Sequence, residues 1–184
     1  MIVETTPLAG LLVLRPRVFR DTRGWFLESF NARAFTEVTG LDARFVQDNE
    51  SLSAAGVVRG LHYQAAPHAQ GKLVRVISGA VLDVCLDIRP ESPTFGKHMV
   101  LQLDGEEKSM LWIPEGFAHG FRTLVDGTVF SYKCTAFYEK SAERSILWND
   151  PALGIEWGIA DPVLSDKDRQ GTPFNEFARL AKQL

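Results

Sequence analysis

Cysteine is scarce in this chain: Cys85 and Cys134 are the two thiols among 184 residues. Two cysteines in apolar runs are too few for a disulfide framework. With no C-x-x-C or Cys/His spacing, they read as buried free thiols rather than redox or metal ligands. Long hydrophobic runs are also missing. None approaches the roughly 20 residues that a membrane helix requires, so no membrane contact is expected. The opening "MIVETTPLAG" lacks the charged start, apolar stretch and small-residue cleavage site of a secretory signal, which predicts a cytoplasmic protein. Positive charge is not in surplus. A net charge of -3 and a pI near 5.8 argue against nucleic acid as a partner, since its binders usually carry a basic footprint. Repeats, low-complexity tracts and long polar linkers are absent as well.

What is present fits one domain spanning 1–184, with 45% hydrophobic residues and room for a real core. Short apolar runs alternate with Gly, Pro, Asp and Ser: "LLVLRPRVF", "WFLESF", "GKLVRVI", "AVLDVCLDI", "KHMVLQL", "SMLWIP" and "FSYKCTAFY". That rhythm predicts an all-β sandwich or barrel rather than βαβ units. "NARAFTEVTG", from Asn31 to Gly40, opens on a helix-capping residue and closes on glycine, so a short helix is expected there. In the tail, Phe174, Phe177, Leu180, Ala181 and Leu184 fall at helical spacing, which predicts a C-terminal helix with a core-facing or dimer-facing stripe.

Ser78-Gly79 has the residues of a two-residue turn, predicting a hairpin in which Ile77 pairs with Ala80, Val74 with Asp83 and Lys72 with Cys85. Alternation puts Lys72, Val74, Val76, Val81, Asp83 and Cys85 on one face. Lys72 and Asp83 are then diagonal neighbours, either a surface ion pair or part of a polar pocket. The apolar company on that face and the preceding "VRGLHYQ" favour the pocket. In "FSYKCTAFY", alternation aligns Phe130, Tyr132, Cys134, Ala136 and Tyr138. The two tyrosines either pack with satisfied hydroxyls or serve a site.

"IPEGFAHGF" carries a Pro-x-Gly-x-x-His pattern, Pro114, Gly116 and His119, that resembles the second motif of the cupin superfamily of jelly-roll barrels. The first cupin motif would be His-x-His, but "LHYQ" puts Gln64 in the second place. A catalytic metal takes about three protein ligands, and His62 and His119 alone do not supply them, so no metal is expected. Beyond that motif, "VFRDTRGWFLESFN", "FVQDNES", "VRGLHYQ", "QGKLVRV", "DVCLDIRPESPTFGK", "LWIPEGFAHGF", "YKCTAFY", "SILWNDPALGIEW" and "LSDKD" occur in order. Together they resemble the dTDP-4-dehydrorhamnose 3,5-epimerases over nearly the whole chain.

The resemblance implies a cupin-type jelly roll with a few short helices. It also implies a homodimer without cofactor or metal, acting on a dTDP-linked 4-keto-6-deoxy sugar. Carried over by position, it makes His62 the general base, Asp168 its orienting carboxylate and Tyr132 the acid across the sugar ring. Lys72 faces the C4 oxygen, and Asp83 belongs to its polar cluster. Arg23 and Arg59 match diphosphate contacts. Phe19, Phe26, Glu28, Gln47, Asn49, His119 and Tyr138 match other pocket positions.

The chemistry needs these types. A 4-keto group makes the C3 and C5 hydrogens acidic by delocalising either carbanion as an enolate. Removing them takes a base near neutrality and a cation facing the oxyanion. Inversion also takes a proton from the opposite face. The His62 and Lys72 strands are accordingly expected side by side. The alternatives are a single-carbon epimerase of a related nucleotide sugar, a metal-dependent cupin oxygenase or isomerase, and a non-catalytic sugar-binding cupin.

Overall fold

The computed structural model of the chain describes residues 1–181. Thirteen strands follow in order: β1 Ile2–Thr5, β2 Leu12–Arg15, β3 Val18–Asp21, β4 Gly24–Leu27, β5 Gln47–Ser53, β6 Val58–Gln64, β7 Lys72–Ser78, β8 Ala80–Asp87, β9 His98–Asp104, β10 Met110–Ile113, β11 Phe117–Thr123, β12 Thr128–Cys134 and β13 Glu143–Ser145. Among the described residues there are three α-helices: α1 Ala32–Thr39 lies between β4 and β5, while α2 Asp166–Arg169 and α3 Phe174–Ala181 follow β13. The expected all-β class holds.

A six-stranded antiparallel sheet, ordered β1-β2-β10-β7-β12-β5, faces a five-stranded one, ordered β13-β6-β11-β8-β9. Strands β3 and β4 form a separate two-stranded arm. Between the two large sheets lies a core that includes Val74, Val76, Val81, Cys85, Leu103, Phe121 and Phe130. The outer face of the five-stranded sheet is covered as well. There Val84 and Leu86 pack with Ile146, Trp148 and Trp157, and Phe174 and Phe177 of α3 lie against them. On the outside of the six-stranded sheet, Leu14, Leu73, Met110 and Trp112 pack under Phe35 of α1. Covering on both sides explains why β8 reads as an almost continuous apolar run.

Helix α1 forms where its caps place it: the Asn31 side chain accepts from the Ala34 amide, and Gly40, at φ 72, donates to the Thr36 carbonyl. In the tail, Phe174 and Phe177 lie on the inner face of α3, and Leu184 lies outside the described residues.

The expected β7–β8 hairpin does not form. Strand β7 is already bonded on one edge by β10 and on the other by β12, so it has no edge left for β8. At Gly79 the chain crosses from one sheet to the other. The residue has φ +84, and a Cβ there would fall 2.2 Å from the Thr128 hydroxyl, leaving room only for glycine. The shared face survives the correction. Lys72, Val74 and Val76 look across the interior at Val81, Asp83 and Cys85, instead of lying beside them in one sheet.

Candidate active site

An earlier crossing, in the connection of residues 65–71 between β6 and β7, separates His62 from Lys72. They are not on laterally adjacent strands: His62 is on β6 in the five-stranded sheet, and Lys72 is on β7 in the six-stranded one. Tyr132 joins the Lys72 wall, since β12 pairs Tyr132 with Val74 and Cys134 with Lys72. A cavity of about 360 Å³ opens between the walls, lined by His62, Lys72, Tyr132, Gln47, Asn49 and Tyr138 among others. A second chamber of about 240 Å³ shares His62, Lys72 and Tyr132 and adds Arg59 and His119.

A β-bulge aims His62 and Arg59 together. Along β11 the pairing runs His119 to His62 and then Phe121 to Arg59, so two steps on β11 span three on β6. Strict alternation would put residues 59 and 62 on opposite faces. The extra residue brings both to the cavity, while Val58 and Leu61 stay in the outer core. Close approach makes this possible: Gly60 sits at φ +133, and a Cβ on it would lie 2.5 Å from the Gly120 Cα.

The Gly60 amide donates to Asp168 Oδ1 at 3.1 Å, and His62 Nε2 is 2.6 Å from the same oxygen. Ser165, which caps α2, donates through its hydroxyl to Asp168 Oδ2 at 2.6 Å. Burial alone would raise the Asp168 carboxyl, but the bonds from His62, Ser165 and Gly60 overcome it and bring the pKa down to about 2. The pair is therefore a carboxylate holding one imidazole nitrogen, with Nδ1 left for the cavity.

On the facing wall, burial lowers the pKa of Lys72, opposed by Cys134, Cys85, Asp83 and Glu143. Burial likewise raises the Tyr132 phenol, so it keeps its proton near neutrality. Asp83 acts on Lys72 through its charge, without a hydrogen bond to it among the described residues. It is almost wholly buried, and its Oδ2 lies 2.9 Å from His119 Nε2, because Phe121↔Asp83 and His119↔Cys85 are successive same-face pairs of β11 and β8. Cys85 also leans on that carboxylate, Sγ to Oδ1 at 3.6 Å. Asp83, Cys85 and His119 are close enough for a metal to be considered. Their chemistry fits one poorly: the imidazole and carboxylate are bonded to each other, and burial holds the Cys85 thiol protonated.

At the mouth, the Tyr138 hydroxyl donates to Glu143 Oε2 at 3.1 Å, and the Lys167 ammonium bonds the other oxygen. Burial would raise the Glu143 carboxyl, but Lys167 and Tyr138 hold it below the usual range. Sequence reasoning did not single out Glu143 or Lys167. Lys167 stood beside Asp168 in "LSDKD", whereas the three-residue β13 that carries Glu143 is too short to show a period. Ser51 was missed too; it lines the second chamber, and its hydroxyl has no hydrogen-bond partner among the described residues.

Four expected residues are not at this cavity within one chain. Phe19, Arg23 and Phe26 lie on the β3–β4 arm around a separate depression. Glu28 follows that arm and accepts from Asn31 Nδ2.

A profile of the family described as dTDP-4-dehydrorhamnose 3,5-epimerase matches residues 5–176. The dTDP-4-dehydrorhamnose 3,5-epimerase of Shigella flexneri is 53% identical over 174 residues, covering 95% of this chain and 96% of its own. The crystal structure of the Legionella pneumophila dTDP-6-deoxy-D-glucose-3,5-epimerase, in complex with dTDP-4-keto-L-rhamnose, superposes with a TM-score of 0.90 at 46% identity, covering 94% of this chain and 92% of that one. A 3'-monoepimerase from Streptomyces bikiniensis, bound to dTDP-quinovose, is more distant: 32% identical, TM-score 0.90, covering 95% and 89%. By fold, by residues and by these likenesses, the chain belongs to the dTDP-4-dehydrorhamnose 3,5-epimerase family.

Proposed function

We propose that this chain inverts C3 and C5 of dTDP-4-keto-6-deoxy-D-glucose, giving dTDP-4-keto-L-rhamnose. The observation that carries the reading is the placement of His62 and Tyr132 on opposite walls of one cavity, with Lys72 beside Tyr132. A sugar ring between those walls shows one face to a base and the other to an acid.

Asp168 accepts the hydrogen of Nε2, which leaves Nδ1 of His62 as the basic nitrogen and stabilises the imidazolium that forms. Nδ1 takes the proton from C3 or C5, and the electron pair moves onto O4 as an enolate. The Lys72 ammonium faces that oxygen. Its charge, costly in the empty cavity, is compensated as the oxyanion develops, so the interaction strengthens in the transition state. The enolate carbon then takes a proton from the Tyr132 hydroxyl on the other face. Each inversion leaves an imidazolium and a phenolate, and water at the open mouth returns both to their starting states. Asp83, held by His119, acts through its charge to favour the ammonium form of Lys72.

The acid, base and cation all come from this chain, so the reading needs no cofactor. It includes a one-domain subunit acting as a homodimer in the cytoplasm, where the free nucleotide sugar is its substrate. The arm supports the dimer, because its Phe19, Arg23 and Phe26 match substrate-contact positions of the family yet sit away from their own cavity.

NMR of the purified protein with dTDP-4-keto-6-deoxyglucose in D₂O tests the function. Deuterium is expected at both C3 and C5, with inversion at each and no nicotinamide or metal added. Activity lost on exhaustive chelation and restored by a divalent ion would overturn the metal-free mechanism. A second reading, inversion at one carbon, rests on the more distant match to the 3'-monoepimerase. Label and inversion confined to C3 would establish it instead.

A further inference from the structure

The β3–β4 arm pairs with neither large sheet, yet one face of it is tied down. Arg20 and Trp25 are directly opposed in its register, and both reach the turn between β9 and β10. The Lys108 ammonium lies 3.9 Å from the centroid of the Trp25 ring, and Arg20 Nη2 donates to the Glu106 carbonyl at 3.2 Å. The next pair, Phe19 and Phe26, alternates to the other face, with exposures of 50% and 68%.

Lys108 is an unusual residue to find there. It is buried, and it is the one non-glycine with positive φ among the described residues, at 59°. Asp104 builds the turn that imposes this conformation by accepting from the Glu106 and Glu107 amides. A lysine in a disfavoured backbone conformation with its charge against an indole face points to a role beyond packing.

The position of that turn matters. Trp25, Asp104 and Lys108 surround one surface depression with Ser78 and Gly79, at the far end of β7 from Lys72. Seven strand residues put the two ends roughly 20 Å apart. The arm is thus fastened to the end of its own barrel that is remote from its own cavity, with Phe19 and Phe26 turned away from the barrel that holds it.

We infer that Lys108 is a positioning residue: by holding Trp25 it sets the angle at which the arm presents Phe19, Phe26 and Arg23 to the nucleotide of the substrate bound in a second copy of this chain. The inference rests on the dimer reading above. Lys108→Met removes the cation while keeping a similar side-chain length. It is expected to raise KM for dTDP-4-keto-6-deoxyglucose about fivefold with kcat within twofold of wild type and the melting temperature little changed. Lys108→Arg, which keeps a cation over the ring, is expected to restore KM. Trp25→Leu should reproduce the KM defect, and adding it to Lys108→Met should cost nothing further, as two halves of one contact behave.

Phe26→Ala separates the two claims. If Phe26→Ala raises KM while Lys108→Met does not, or if the Lys108 and Trp25 defects simply multiply, the arm is used but Lys108 does not position it. If Phe26→Ala leaves KM untouched, the arm does not serve a nucleotide site, and the dimer reading falls together with the role of Lys108.

Discussion

His62 and Asp168, 106 positions apart in the chain, meet at 2.6 Å through Nε2 and Oδ1. The same carboxylate takes the Gly60 amide and the Ser165 hydroxyl, so its position and charge are fixed before any substrate arrives. An amide in its place could donate to the imidazole and stabilise the wrong tautomer. Asp168→Asn is therefore expected to lower kcat by about a thousandfold or more, with KM changed far less and the circular dichroism spectrum retained. A folded variant within tenfold of wild-type turnover would mean that His62 does not depend on this carboxylate for its tautomer.

Tyr132 separates inversion from simple exchange. His62 alone can remove a proton and return a deuteron to the same face. Tyr132→Phe removes one hydroxyl and keeps a ring among Phe130 and its neighbours, which little disturbs packing. Deuterium should still enter at least one carbon, while net inversion falls much further than exchange. Equal losses of exchange and inversion, measured by NMR on one sample, would take the opposite-face acid away from Tyr132.

Acid should weaken the fold through two carboxylates. Asp168 is held at about 2 against an ordinary 3.8. Asp87 is also held at about 2: burial would raise it, and bonds from Arg89, Ser92 and Thr94 bring it down. A carboxyl depressed by folding adds stability that is fully present above its unfolded value and lost as pH falls through its folded one. Urea unfolding should accordingly show a decline concentrated between about pH 4 and pH 2, worth roughly 2 kcal/mol per group. Asp87→Asn should flatten part of that decline. An unchanged slope in the variant would show that Asp87 titrates normally.

Site sharing between two copies has its own signature. His62→Ala and Phe26→Ala chains should each be impaired alone. Refolded together, they form mixed dimers in which one cavity pairs an intact His62 with an intact arm from the other chain. Activity is expected to rise above the sum of the separate preparations, towards about a quarter of wild type if chains pair at random and each complete site works alone. No gain on mixing, or light scattering that finds an active monomer at assay concentration, would refute the shared site.

Much of the fold was legible in the residues themselves. Asn31 and Gly40 marked α1 because capping is local chemistry, and the alternation in "GKLVRVI" and "AVLDVCLDI" assigned Lys72, Val74, Val76, Val81, Asp83 and Cys85 to one interior face. The order of motifs named the family. What alternation cannot carry is the identity of a strand's neighbour, because a period of two is the same whether strands lie side by side or face each other across a core. Only the tertiary structure could therefore place β7 and β8 in different sheets, put His62 across the cavity from Lys72, and give Asp83 to His119. The bulge that turns Arg59 and His62 to one side is likewise set by the approach of Gly60 to Gly120, a contact between strands about 60 residues apart in the chain. The arm's fastening to Lys108 belongs with these: neighbouring pairs on β3 and β4 point opposite ways by sequence alone, but which face finds the barrel is decided by what the barrel offers at that end.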